Sequence, residues 1–287
     1  MDRVLFGDNQ FFGVNHASDE KSRAQTIRFQ DNKAIMDVLD IAIDEGINTF
    51  MCTTHDRIEY ICDIVRGNPK YQDFKIYPCM PYAHKYANAV TELGILGTVK
   101  HFVPGNVFST FAKGGFAFVK KDFASLVKLM IDAELKMFRG INTPVIWMQN
   151  VITDLLLGLG MVDFLKVFYD HIKEKHEAEP GFITMNLPLL LDTLEKAGIK
   201  NPTICASINS IGFRMSGGKE RYEEVIAQKR CNLVAMQVLA AGAIPPKEAF
   251  QYVCGLSGVD SILFGASSRG NIRQSKQLID SFSGTPV

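Results

Sequence analysis

The chain has no excess of either charge, because its 31 basic and 31 acidic residues cancel. It therefore lacks the net field that would draw nucleic acid or an anionic membrane. No uninterrupted apolar run approaches the roughly 20 residues of a membrane span, and the opening MDRVLFGDNQ has no signal-peptide pattern. The six cysteines (52, 62, 79, 205, 231 and 254) are dispersed and include no CxxC pair. A reduced, cytoplasmic protein is the expectation, with strand cysteines acting as small hydrophobes. Internal repeats and low-complexity tracts are also missing. So is any tight metal-ligand spacing such as HExxH.

What is present is a chain of 287 residues, 47% hydrophobic, a length that fits one large α/β barrel. Short β-rich runs alternate with helical segments, the pattern of a parallel α/β fold. The runs are Val4–Gly7, Thr49–Cys52, Lys75–Cys79, Val145–Met148, Phe182–Met185, Thr203–Ala206, Leu233–Met236 and Ile262–Phe264. Eight strands close a barrel, so the prediction is a single (β/α)8 TIM-barrel domain over residues 1–287. Ile35, Met36, Leu39, Ala42 and Ile43 form one helical stripe, with Asp31 or Asn32 as N-cap and Gly46 as the stop. Phe123, Leu126, Val127, Met130 and Ile131 form another within a predicted helix Asp122–Phe138. That leaves 81–121 as a long insertion after strand 3, leaving the barrel on the face where active sites sit. Its five phenylalanines, interleaved with Gly105, Gly114 and Gly115, fit a lid over the ligand, or a packed helix or contact between copies in a homo-oligomer. Phe164–Glu179, with His171, Lys175 and His176, reads as a solvated charged face.

The last quarter carries the clearest chemical signal. NLVAMQVLAAGAI and DSILFGASSRGNIRQSKQLID each start as a buried strand, pass through small residues and enter a helix. Loops after strands 7 and 8 beside a helix N-terminus are where such barrels usually hold phosphate. Gly242 and Gly265 would let backbone N–H groups approach the anion, and Ser267, Ser268, Arg269 and Arg273 would add donors and charge.

The order of these phrases resembles the aldo-keto reductase family. GINTF at Gly46–Phe50 is similar to the lead into that family's second strand, and NLPLLLDTLEKAG followed by PTICASINSIGF to its fifth helix and sixth strand. MQVLAAG resembles its seventh strand and turn, and GASSRGNIRQSKQLI its loop and helix for the adenosine phosphate of NADPH. The resemblance implies a barrel with NADP as cofactor, Asn186 on the nicotinamide amide, and Ser267, Arg269 and Arg273 on the phosphate. It also implies an Asp, Tyr, Lys and His for proton transfer. At those positions stand Met51, then His55 and Asp56, then Pro78, Cys79 and Met80, and finally Gln149. Without a neighbouring Lys and Asp, Tyr60 or Tyr82 would be a poor acid at neutral pH, since tyrosine starts near 10.

Residues at strand exits are the ones a barrel uses for chemistry. Strand 1 leads to Asp8, Asn15 and His16, and strand 2 to His55 and Asp56. Gln149, Asn186, Asn209 and Gln237 add neutral amides suited to a polyhydroxylated or amide-bearing ligand. His55 with Asp56 is the expected acid/base pair, since histidine titrates near neutrality and a carboxylate can orient it, with His16 and Asp8 facing it. A divalent zinc or manganese ion on His16, His55 and Asp56 or Asp8 is a weaker reading. Three functions follow. The first is an enzyme acting by acid/base chemistry on a phosphorylated small-molecule substrate, of isomerase or lyase type. The second is an NADPH-dependent reductase with rearranged catalytic residues, and the third is a non-catalytic barrel that binds a metabolite.

Overall fold

A computed structural model describes residues 1–14, 18–82 and 119–284. Eight parallel strands pair in sequence order and close, β1 bonding both β2 and β8. They are β1 (Val4–Gly7), β2 (Thr49–Thr53), β3 (Lys75–Met80), β4 (Val145–Met148), β5 (Glu179–Thr184), β6 (Thr203–Ser207), β7 (Asn232–Met236) and β8 (Ser261–Phe264). The barrel fold read from the alternation is therefore the observed one. All eight strands fall where expected, with one sizeable shift. β5 starts at Glu179, three residues early, and the preceding helix Val162–His176 ends before it. The charged run reads as helix through Glu179, but Glu177 adopts left-handed φ 52° and turns the chain into the strand.

Side chains alternate between two layers, as the period of a strand requires. Leu5, Met51, Tyr77, Cys79, Val145, Trp147, Ile183, Cys205 and Val234 fill the barrel interior. Phe6, Phe50, Ile76, Ile146, Phe182, Ile204, Leu233 and Ile262 face outward into the larger core under the helices. On β5 the interior position beside Trp147 is Gly181, where even a Cβ would lie 2.3 Å from the indole ring. The floor is closed by Asp2, which binds Lys75 at 2.8 Å and accepts the Thr49 hydroxyl. All six cysteines are free.

Helix Asn32–Asp44 begins at Asp31, whose carboxylate accepts from Lys33 N–H, and Gly46 follows it at φ 79°. Helix Asp19–Arg28 has no counterpart in the sequence reading. It buries none of its residues, so it carries no apolar stripe for periodicity to find. The helix expected over Asp122–Phe138 is an α-helix Val119–Glu134 continued by a 3-10 turn Leu135–Phe138. Most of the 81–121 insertion lies outside the described residues. Among the described residues no helix is long and apolar enough to cross a membrane.

Candidate active site

β1 and β2 end side by side, and their exits are tied together by Asp8. Its carboxylate accepts from Thr53 N–H at 2.7 Å and from the Thr53 hydroxyl at 2.8 Å. Burial pushes the Asp8 carboxyl up from the usual range, and the two bonds from Thr53 only partly offset that. Asp8 is thus a clasp between strand exits, buried at 7% exposure, as well as a carboxyl at the mouth.

Just beyond β2, His55 turns over this clasp. Its ring stacks on Phe12 at 4.4 Å and 17°, and Tyr82 lies 5.4 Å away. Arg57 N–H donates to His55 Nδ1 at 3.1 Å, so the neutral ring carries its proton on Nε2. Phe12 is supplied by a 3-10 turn, Asn9–Phe12, directly after β1. Asp56 precedes helix Arg57–Val65 in helical conformation. Tyr82 links the group. Burial first, then the charges of Asp8 and Asp56, push its phenol up, as the sequence leads one to expect of a tyrosine here. Its backbone N–H donates to buried Glu134 at 3.2 Å, and Thr54 donates its hydroxyl to the same carboxylate. Asp8, His55, Asp56 and Tyr82 therefore meet at one side of the mouth. His16 and Asn15, expected to complete this cluster, lie outside the described residues.

The positions at which the family resemblance implies the Asp, Lys and His hold other groups. Met51 and Cys79 pack inside the barrel, and Gln149 leads from β4 into helix Asn150–Gly158. The amides expected to face a ligand are largely engaged. Asn186 caps helix Leu187–Lys196 by accepting from Leu189 N–H, and Asn209 braces its own loop by bonding Phe213 in both directions. Gln237 Oε1 accepts the Ser207 hydroxyl at 2.5 Å. A residue that sequence reasoning missed holds the β5 exit. Asp154 accepts the Thr184 hydroxyl and Met185 N–H, a contact distant in sequence with no local motif.

On the other flank of β1, reached through β8, β7 stops at Met236, and Ala240–Gly242 form a separate 3-10 turn instead of extending the strand. Gln237, Ala240 and Ala241 hold φ of 54°, 45° and 58°, left-handed values that non-glycine residues adopt at a cost. Gly242 follows at φ 93°, and Gly265 packs against Gln10, whose amide donates to Gly7 O. After β8, Ser268 caps helix Arg269–Ser283 by accepting from Asn271 N–H. Arg269 and Arg273 belong to this helix but reach toward Asp44 and Glu45, at the end of helix Asn32–Asp44 that feeds the start of β2. The expected pair of phosphate cations thus lies along the flank, in ion pairs. The cation at the β8 loop itself is Arg28, the last residue of helix Asp19–Arg28, which donates to Ser267 O.

No family model and no curated relative matches the sequence. Solved structures do match the backbone. A presumed aldo-keto reductase of Pseudomonas aeruginosa superposes with a TM-score of 0.61 at 14% identity, over 98% of this chain and 90% of that one. The holo form of aldo-keto reductase AKR11C1 from Bacillus halodurans gives 0.56 at 12%, over 99% and 88%. A single-site mutant of Gox0644 in complex with NADPH gives 0.55 at 8%, over 97% and 83%. The fold is that of the aldo-keto reductases. At such identities the likeness is one of backbone.

Proposed function

We propose that the chain is an aldo-keto reductase-like oxidoreductase that takes NADPH along the β7–β8 side of the mouth and uses His55 as proton donor. The observation that carries this reading is Arg28 at the Ser267 carbonyl, beside a helix N-terminus, on a barrel whose structural neighbours include one with NADPH bound. The dinucleotide, when bound, supplies a hydride to a substrate carbonyl. The protein must then give the carbonyl oxygen a proton. His55 would do this as imidazolium, protonated on both nitrogens with the Arg57 N–H contact at Nδ1 released, since the Nε2–H of a neutral ring is far too weak an acid; Phe12 fixes the ring plane. Tyr82, held protonated, is a hydrogen-bond donor to the same oxygen and a weak acid. Asp8 keeps the β1 and β2 exits in register so that Phe12 and His55 stay stacked.

Nicotinamide fluorescence tests this directly. Added NADPH should change its emission on binding the protein. Arg28→Ala should weaken that binding by about tenfold or more, the worth of one charge-assisted hydrogen bond. His55→Gln should leave binding intact and slow carbonyl reduction by roughly 10²–10⁴-fold. No emission change at any NADPH concentration would overturn the reductase reading. It would leave the cofactor-free isomerase or lyase reading, which no feature of the geometry favours.

A further inference from the structure

We infer that Asp132, His171 and His176 form a binding site for one zinc-class divalent ion, between two outer helices and away from the mouth. The three residues come from the last turn of helix Val119–Glu134 and the last two turns of helix Val162–His176. Both histidines aim Nε2 at the same oxygen. His171 Nε2 is 2.9 Å and His176 Nε2 2.8 Å from Asp132 Oδ1. The three ligand atoms all lie within 4.8 Å of one another, the one such group of histidine, cysteine and carboxylate among the described residues. Imidazole–zinc bonds are about 2.0–2.1 Å, and tetrahedral ligands about 3.3 Å apart, so the N···O separations of 2.9 and 2.8 Å must open by about 0.5 Å to admit the ion.

The rings meet edge to face, 5.5 Å apart at 77°, so their in-plane lone pairs converge rather than run parallel. A two-imidazole, one-carboxylate set suits zinc, cobalt or nickel rather than calcium or magnesium, which prefer oxygen alone. His171 is buried at 7% exposure, which contradicts the solvated face read from the sequence, while His176 borders an open cleft of about 220 Å³ near the start of β4. The cleft gives an ion a path in and leaves room for water on the remaining coordination positions. Lys175 binds the other oxygen of Asp132 at 2.6 Å, leaving Oδ1 to the ion, and is exposed enough to swing aside. Sequence spacing hides the site, because residues five apart on a helix do not share a face. They meet here because His176 is the last helical residue before left-handed Glu177. The ion would cross-link the helix that returns from the 81–121 insertion to its neighbour.

The test is zinc binding by calorimetry and metal analysis on the full chain, with thermal melts alongside. The wild type should take up one equivalent of Zn²⁺ and melt at a higher temperature with it. His176→Gln and Asp132→Asn should each lose at least about tenfold in affinity, since even outer partners of a metal site cost 10–100-fold, and neither should be stabilised by zinc. His176 is the more exposed of the two histidines, so H176Q is expected to fold, as circular dichroism would check. No stoichiometric uptake by the wild type overturns the inference. So does uptake unchanged in both variants, which would place the ion on other histidines or on the cysteines.

Discussion

Gly181→Ala probes the packing of the barrel interior. The added methyl would stand 2.3 Å from Trp147 Cε3 and 2.6 Å from Cδ2 and Cζ3. Carbon atoms rest at about 3.5–4.0 Å, so the ring must retreat by more than about 1 Å. It has little room to do so. Trp147 is fully buried, and Tyr77, Cys79, Ile183 and Val145 share its cluster. Overpacking of a rigid core costs about 1–3 kcal/mol, and this geometry belongs at the upper end. Near the size of this chain each kcal/mol lowers Tm by about 2–4 °C, so a drop of roughly 5–10 °C is expected. The assay is unusually direct, because Trp147 is the only tryptophan and its fluorescence reports the barrel interior alone. Its emission should be blue-shifted in the parent protein and shift in G181A, with the guanidinium midpoint falling in step. The double variant Trp147→Phe with Gly181→Ala should recover part of the loss by circular dichroism, since the smaller ring yields space. It also removes an indole Nε1 that has no hydrogen-bond partner among the described residues. A G181A protein with Tm within about 1 °C of the parent and unchanged emission would refute the packing argument.

Two further substitutions test the mouth. Gly265→Ala brings a Cβ within 2.2 Å of Gln10 Oε1, the far end of a flexible side chain, so the cost should be about 1 kcal/mol or less, chiefly the lost bond to Gly7 O. Thermal melts should show Gln10→Ala relieving it, and a loss as large as that of G181A would mean the loop cannot yield. Asp8→Asn addresses pH. The folded-state pKa of Asp8 lies above the ordinary aspartate value of 3.8, so the native state holds the proton more tightly than the unfolded chain. Its contribution is therefore full below that value and declines as pH rises through the raised folded pKa. Urea midpoints from about pH 3.5 to 7 should show this decline in the wild type and a shallower one in D8N, where the amide oxygen still accepts from Thr53. Identical pH profiles would remove Asp8 as the source.

The strands were legible because each is a short apolar run bounded by turn residues, and the number eight is itself a constraint on topology. Local end signals were legible too, as with Asp31 capping its helix and Gly46 ending it in left-handed conformation. His55 could be read as a mouth residue because a strand exit is a local event. Its partners could not, because Phe12 and Tyr82 come from the exits of other strands.

The phosphate loop shows the same division. Ser268 as a cap is written in a few neighbouring residues, but whether Arg269 and Arg273 face the mouth depends on which helix lies beside them. That neighbour brought Asp44 and Glu45, and the pairs formed along the flank. Arg28 took the loop instead, 239 residues away in the chain. The sequence alone determined the barrel, since hydrophobic period and strand count act locally and repeat around the ring. Tertiary structure alone decided which charges meet, at Asp8 with Thr53, at Arg28 with Ser267 and at Asp132 with His171 and His176. A polar side chain has many satisfactory partners, and only the closed fold fixes which one comes within reach.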